Sequence, residues 1–197
     1  MLESLERDPS FKALANGDID QPESKTDPSI VVSAPSGLRP AIAAAAATAR
    51  RTAVVLVVAS SREAEETVES LRSWYEGDPN AIVQLEAWET LPHERLSPRA
   101  DTVASRVAVM RRLKHPQPGS DLFGPIQILV MPVRSLIQPV VAGLGDVEPL
   151  VFEQDRDLPL GDAANRLVEN AYTRADLVMD RGEFAVRGGI LDVFPPT

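Results

Sequence analysis

Apolar and polar positions along this chain change period several times, and the changes mark its elements. Ile30 to Val32 is a short apolar run, followed by a small-residue turn around Gly37 and then an Ala-rich stretch of helical character. A second apolar run, Ala53 to Ala59, reads as a strand. Residues 61–77 place Ala64, Val68, Leu71 and Tyr75 on one helical face, with Ser60 or Ser61 to cap, Glu63 in the first turn and Gly77 to stop. Ala81 to Leu85 predicts a short strand, and 86–99 a loop punctuated by proline. Ser97 then Pro98 predicts a helix start, with Val103, Val107, Met110 and Leu113 as its apolar stripe. Ile126 to Val133 is nearly continuous in apolar residues, which suits a buried parallel strand. Strand and helix thus alternate from 29 to 140, and the expected fold is α/β with a parallel sheet.

The flanks differ. Residues 1–28 predict a polar N-terminal tail with a weakly helical piece from Leu2 to Ala15. Residues 141–197 predict a smaller α+β domain: a short strand at Leu150 to Glu153, a helix from Asp162 to Ala171, then two strands around Gly188-Gly189. Adjacent glycines between strands predict a tight hairpin, because both tolerate φ > 0. The chain stops just past this hairpin, at Pro195-Pro196-Thr197, which predicts a truncated domain or a piece of a longer protein.

Composition narrows the chemistry. The chain has 197 residues, enough for one large domain or two modest ones, and its 44% hydrophobic and 25% charged content is ordinary for a globular protein. It lacks cysteine, which removes disulfides and thiolate metal sites, and its two histidines, His93 and His115, make no metal cluster. No apolar run spans a bilayer and the first residues do not read as a signal peptide, so a cytoplasmic protein without membrane attachment is expected. The net charge of −9 gives no basic footprint for nucleic acid. The most basic stretch is the helix bearing Arg106, Arg111, Arg112 and Lys114.

Strand, glycine turn, helix, strand is also how a phosphate-binding loop is built. A working loop reads G-x-x-x-x-G-K-[ST]: the lysine neutralises the phosphates and the hydroxyl holds Mg²⁺. Here Ser36-Gly37-Leu38-Arg39 puts leucine in the lysine place and arginine in the hydroxyl place, and Pro40 removes an N–H. The architecture is that of a P-loop and the chemistry is missing, so no nucleotide binding and no catalysis are expected of this stretch. His93 beside Glu94 reads as solvated loop residues, and Asp121, Asp146, Asp155 and Asp157 are loop acids without a neighbouring base. Trp74 and Tyr75 end an amphipathic helix and read as core, although they and Trp88 could stack on bases. No metal or catalytic residue is assigned.

Three blocks in order carry a resemblance: WETLPHERLSPRADTVASRVAVMRRL at 88–113, ILVMPVRSLIQP at 128–139 and YTRADLVMDRGEFAVRGGILDVFPP at 172–196. They resemble the N-terminal UvrB-like module of the bacterial transcription-repair coupling factors, over roughly residues 28–197. The last block resembles the R-G-x-F-x-V-R-G-x-x-x-[DE]-x-F-P signature shared with UvrB. The resemblance implies a degenerate P-loop, helicase-like domain at 29–140 and a UvrA-binding UvrB-type domain 2 at 141–197. It implies a non-catalytic adaptor that recruits UvrA to stalled RNA polymerase for nucleotide excision repair. In the full-length protein, ATP and Mg²⁺ belong to downstream motor domains that translocate on double-stranded DNA, the RNA polymerase contact is also downstream, and a C-terminal domain masks the UvrA surface at rest. Matched place by place, the UvrA-binding arginines are Arg174, Arg181 and Arg187. A further arginine usual after the phenylalanine is here Ala185.

The residues alone support that face: alternation sets Glu183, Ala185 and Arg187 on one side and Phe184 and Val186 on the other. Phe194 is expected in the core. Arg174 and Arg181 could equally balance Asp176, Asp180 and Glu183 locally. The alternatives are a nucleotide- or DNA-binding module of a UvrB-like repair enzyme, the latter through the basic helix.

Overall fold

The structure is a computed structural model that describes residues 5, 7–16, 32–50, 52–90 and 97–196. The chain forms two compact units, Met1–Ala87 with Pro116–Gln138, and Trp88–His115 with Pro139–Thr197.

The first unit is built on a three-stranded parallel sheet of β1 (Val54–Val58), β2 (Ile82–Gln84) and β3 (Ile128–Pro132), in the order β1-β3-β2. Every residue of β3 is buried, as its continuous apolar run requires of a central parallel strand. Helix α2 (Arg39–Arg50) packs Ala43, Ala44, Ala45 and Ala47 into the core, and α3 (Ser61–Trp74) adds Ala64, Val68 and Leu71. Leu71, Ile128 and Val130 are fully buried, and each such side chain contributes about 1.5–3 kcal/mol. A short helix, Val133–Ile137, follows β3, and its Ser135 hydroxyl donates to the Leu85 carbonyl at 2.9 Å.

The start of α3 is fixed by reciprocal caps: the Ser60 hydroxyl accepts the Glu63 N–H at 3.2 Å, and the Glu63 carboxylate accepts the Ala59 N–H at 3.0 Å. Its end differs from expectation. The helix stops at Trp74, Tyr75 turns extended, and the tyrosine ring lies where a Cβ on Gly77 would sit, 2.5 Å away. Gly77 therefore makes room for a ring rather than supplying a left-handed turn.

Residues expected as a polar tail contribute to this unit. Helix α1 (Pro9–Asn16) is capped by Asp8, whose carboxylate accepts the Ser10 and Phe11 N–H groups, and it buries Ala15 in the core. The Arg50 guanidinium donates to the carbonyls of Ala15 and Leu14 at 3.1 and 3.4 Å, which satisfies acceptors that a helix end leaves open. The strand expected at Ile30 to Val32 falls mostly outside the described residues; Val32 itself is not in a strand.

The second unit holds α4 (Ala100–Lys114), α6 (Leu160–Glu169, the helix at Val133–Ile137 being α5) and a three-stranded sheet of β4 (Thr173–Arg174), β5 (Glu183–Arg187) and β6 (Ile190–Val193). Helix α4, expected in the 29–140 domain, falls with this unit. It begins at Ala100 after an extended Arg99, without the side-chain cap expected from Ser97. Its buried residues are Thr102, Arg106 and Val109, while Val103, Val107 and Met110 are half-buried and Leu113 is exposed. The buried side therefore runs beside the apolar stripe, because Trp88 and Glu89 take that face: Arg106 stacks on Trp88 and Thr102 bonds to Glu89. Residues 150–153, expected as a strand, pair with no ladder among the described residues. Helix α6 opens two residues earlier than expected, with Asp162 in its first turn.

The last residues of α4 are clasped by a 3-10 turn, Leu144–Asp146. Lys114 and His115 contact the two Asp146 carboxylate oxygens at 2.6 and 2.9 Å, and Arg111 donates to the Val147 carbonyl at 3.0 Å. Gly145 lies against the Met110 carbonyl, where a Cβ would approach within 2.8 Å. The hydrogen bonds from His115 and then Lys114 hold the Asp146 carboxyl below the usual carboxylate range.

A depressed folded-state pKa stabilises fully above the ordinary Asp value of ~4 and loses that contribution as pH falls through the depressed value. Asp146→Asn is therefore expected to lower the melting temperature at pH 7, with the gap from wild type closing below pH ~4. Thermal melts of both proteins across pH check it; a gap constant with pH contradicts the clasp. In the hairpin, Gly188 and Gly189 have φ 56° and 85°. Gly189→Ala is expected to cost about 1 kcal/mol, read as a lower urea midpoint at unchanged slope.

Candidate partner-docking site

The loop at 36–39 is a single exposed 3-10 turn, Ser36–Leu38, leading into α2. Two of its amides are used within the turn: the Leu38 N–H donates to the Pro35 carbonyl at 3.0 Å and the Arg39 N–H to the Ser36 carbonyl. Pro40 has no N–H. A phosphate cradle needs several free amides converging on one point. Gly37 has an ordinary negative φ and open space around it, so its freedom is not being used. The Arg39 guanidinium lies 3.7 Å from the Glu63 carboxylate.

In the second unit, β5 runs parallel to β4 and antiparallel to β6. Arg187 pairs with Ile190 across the hairpin, and the register sets Asp192 diagonally beside it on the same face. Their side chains meet at 3.3 Å, with 57% and 46% exposure. Arg181 precedes β5; its guanidinium stacks on the Phe194 ring at 5.3 Å and reaches the Pro196 carbonyl at 3.3 Å. Phe194, expected in the core, is 38% exposed because one side of its ring takes this cation instead of apolar neighbours. Arg174 is exposed on β4, paired in register with Phe184, and among the described residues its side chain makes no ion pair.

The three arginines are not on one face. Arg174 shares the face of Phe184, while Arg187, three residues further along β5, points the other way and lies roughly 10 Å along the strand. Arg174 and Arg181 bracket the β4–β5 loop at one end of the sheet, and Arg187 marks the hairpin end. Nor is the expected polar face open at its centre: Ala185 is fully buried and Glu183 half-buried. The Glu183 carboxylate accepts the N–H groups of both Met179 and Asp180 at 2.9 Å, and these bonds hold its pKa below the usual range. Sequence reasoning missed this pin, which has no signal beyond a carboxylate three residues after a loop amide. The Arg187–Asp192 pair was within reach, since a two-residue hairpin loop fixes the register.

The basic helix does not form a patch. Arg106 is fully buried against Trp88 at 4.4 Å, Lys114 is held by Asp146, and Arg111 by the Val147 carbonyl. His93 and Glu94 lie outside the described residues. Trp74 and Tyr75 pack against the core as expected, and no group of metal-binding side chains occurs among the described residues. No helix there is long and apolar enough to cross a membrane.

Comparison with known proteins places this geometry. Residues 150–197, which contain the whole β4–β5–β6 sheet, match the family model of the UvrB interaction domain. The UvrABC system protein B of Francisella tularensis is 42% identical over 60 residues, 28% of this chain and 9% of that protein. The transcription-repair-coupling factor of Mycobacterium tuberculosis is 50% identical over 138 residues, 70% of this chain and 11% of that protein. That of Escherichia coli is 32% identical over 115 residues, 58% and 9% respectively. The part of the second unit from residue 150 onward is therefore of the UvrB interaction-domain type. Over most of its length the chain is a UvrB-like module similar to part of the transcription-repair-coupling factors, and it spans about a tenth of the length of the curated relatives it matches.

Arg106→Ala is expected to destabilise the second unit by about 2 kcal/mol or more, since it removes a buried stem and a desolvated cation–aromatic stack. Urea unfolding followed by tryptophan fluorescence reads both the midpoint and the changed Trp88 environment.

Proposed function

We propose that this module is a non-catalytic adaptor whose second unit docks UvrA, as the N-terminal part of a coupling factor that brings nucleotide excision repair to stalled RNA polymerase. The carrying observation is that the UvrB-interaction match coincides with a sheet whose exposed ends bear Arg174, Arg181 and Arg187. An arginine offers a carboxylate two parallel hydrogen bonds, so such ends suit acidic groups on a partner. Arg187 is already aligned by Asp192, in an exposed pair worth only ~0–1 kcal/mol that a partner carboxylate can replace.

The first unit acts in this reading as a scaffold, a degenerate P-loop domain without nucleotide. Support comes from the amides and the sequence: those of Leu38 and Arg39 are spent within the turn, position 40 has none, and the place of the motif's lysine is taken by Leu38. ATP-driven translocation on double-stranded DNA, with its Mg²⁺, belongs in this reading to the rest of the longer protein, in the cytoplasm.

Calorimetry with purified UvrA tests the proposal. Wild type is expected to bind, and Arg187→Ala to weaken binding by about 2 kcal/mol, roughly thirtyfold. Arg174→Ala is expected to act in the same direction. ATP with Mg²⁺ is expected to leave the melting temperature of the chain unchanged. A cooperatively folded chain that fails to bind UvrA contradicts the adaptor reading, and a nucleotide-dependent rise in melting temperature contradicts the scaffold reading.

A further inference from the structure

We infer that the loop joining β4 to β5 is the apolar part of the same docking surface, with Met179 as its anchor and Glu183 as the residue that positions it. This rests on the adaptor reading above and extends it from charge to shape. Four observations converge on the loop.

Met179 is 70% exposed and Leu177 is 54% exposed, in a segment of only a few residues. Large apolar side chains held out together on a short loop are costly to leave in water, and they gain on being covered. Arg174 and Arg181 bracket them, with Asp176 and Asp180 between each arginine and the apolar pair, so the loop carries charge on both sides of an apolar centre. Arg181 is not free to swing away, because Phe194 and the Pro196 carbonyl hold its guanidinium.

The loop is also rigidly held, which separates it from an ordinary surface turn. Glu183 turns its carboxylate back onto the Met179 and Asp180 amides at 2.9 Å, and the Glu183 N–H donates to the Asp180 carbonyl at 3.2 Å. On the other side the Ala175 N–H continues the ladder to the Phe184 carbonyl at 2.9 Å. Gly182, at φ 82°, turns the chain into β5 with Ala100 against it. A pinned loop loses little conformational freedom on binding, so contacts from Met179 are not offset by ordering it. Asp176 and Asp180 share the loop and set its selectivity: a partner surface of bare acidic charge is repelled beside the arginines that attract it. The occupant that fits is the UvrA surface of the adaptor reading, presenting an apolar depression bordered by carboxylates.

The test uses the 197-residue chain and purified UvrA in calorimetry, with thermal melts of every variant. Met179→Ser is expected to weaken binding about tenfold at an unchanged melting temperature, as for an apolar anchor at a packed contact. Leu177→Ser gives an independent reading of the same patch. Glu183→Gln, which keeps one acceptor oxygen, is expected to fall between wild type and Glu183→Ala in affinity. The Met179 and Asp180 amides are expected to exchange faster in the same order. A purely structural role for Glu183 would instead lower the melting temperature and leave binding of the folded fraction intact. Arg187→Ala serves as the reference. If it weakens binding while both serine variants bind as wild type, the loop inference is overturned and the adaptor reading stands. If the folded wild type does not bind UvrA, both fall together.

Discussion

Phe184 and Ala185 are neighbours on β5, and neither is reached by solvent. Neighbours on a strand point to opposite faces, so β5 is covered on both sides at its centre. Whatever this sheet offers a partner then sits at its ends or on its loops. Arg187 is at the hairpin end, Arg174 and Arg181 at the other, and Leu177 and Met179 between those two. The same burial suits a residue as small as alanine at position 185. A guanidinium there would be buried, and the residue facing it, Asp192, already meets Arg187.

How much of this was legible depends on how local each cause was. The hairpin was, because Gly188-Gly189 states its turn type in the residues that need positive φ. So were the buried strand β3, from its unbroken apolar run, and the Ser60 cap of α3. The face of α4 was not, since its apolar stripe is real but Trp88 and Glu89 dock beside it, over Thr102 and Arg106. A buried arginine on a helix that also carries Arg111, Arg112 and Lys114 looks in sequence like part of a basic surface. Only the tertiary neighbour separates a cation stacked on indole from one facing a phosphate. Likewise α1 reads as polar, and the donor that secures its last carbonyls comes from Arg50, far along the chain.

The candidate site divides in the same way. Arg174, Arg181 and Arg187 were assigned by likeness to a motif, which fixes residues and not faces. The register then puts Arg174 and Arg187 on opposite sides of the sheet. The 36–39 loop makes the complementary point for glycine spacing. A glycine turn before a helix offers a phosphate only the amide donors that the turn leaves over, and in this 3-10 turn those of Leu38 and Arg39 close the turn itself.

The net charge of −9 bears on how the proposed arginine-bearing surface would act. Most of its basic side chains with described contacts are held by local acids or carbonyls: Arg39 by Glu63, Arg62 by Glu66, Arg99 by Asp101, Lys114 by Asp146 and Arg156 by Glu153. Exposed pairs of this kind add little to stability, yet each orients its cation and cancels its field beyond about one Debye length, ~8 Å in physiological salt. What remains is short-ranged and directional. Arg187 keeps its fork aligned by Asp192, which also offsets its charge, and Arg181 keeps its plane on Phe194. In the proposed docking mode, such a surface would select a partner by fit at contact, where an apolar anchor between two arginines discriminates better than net charge.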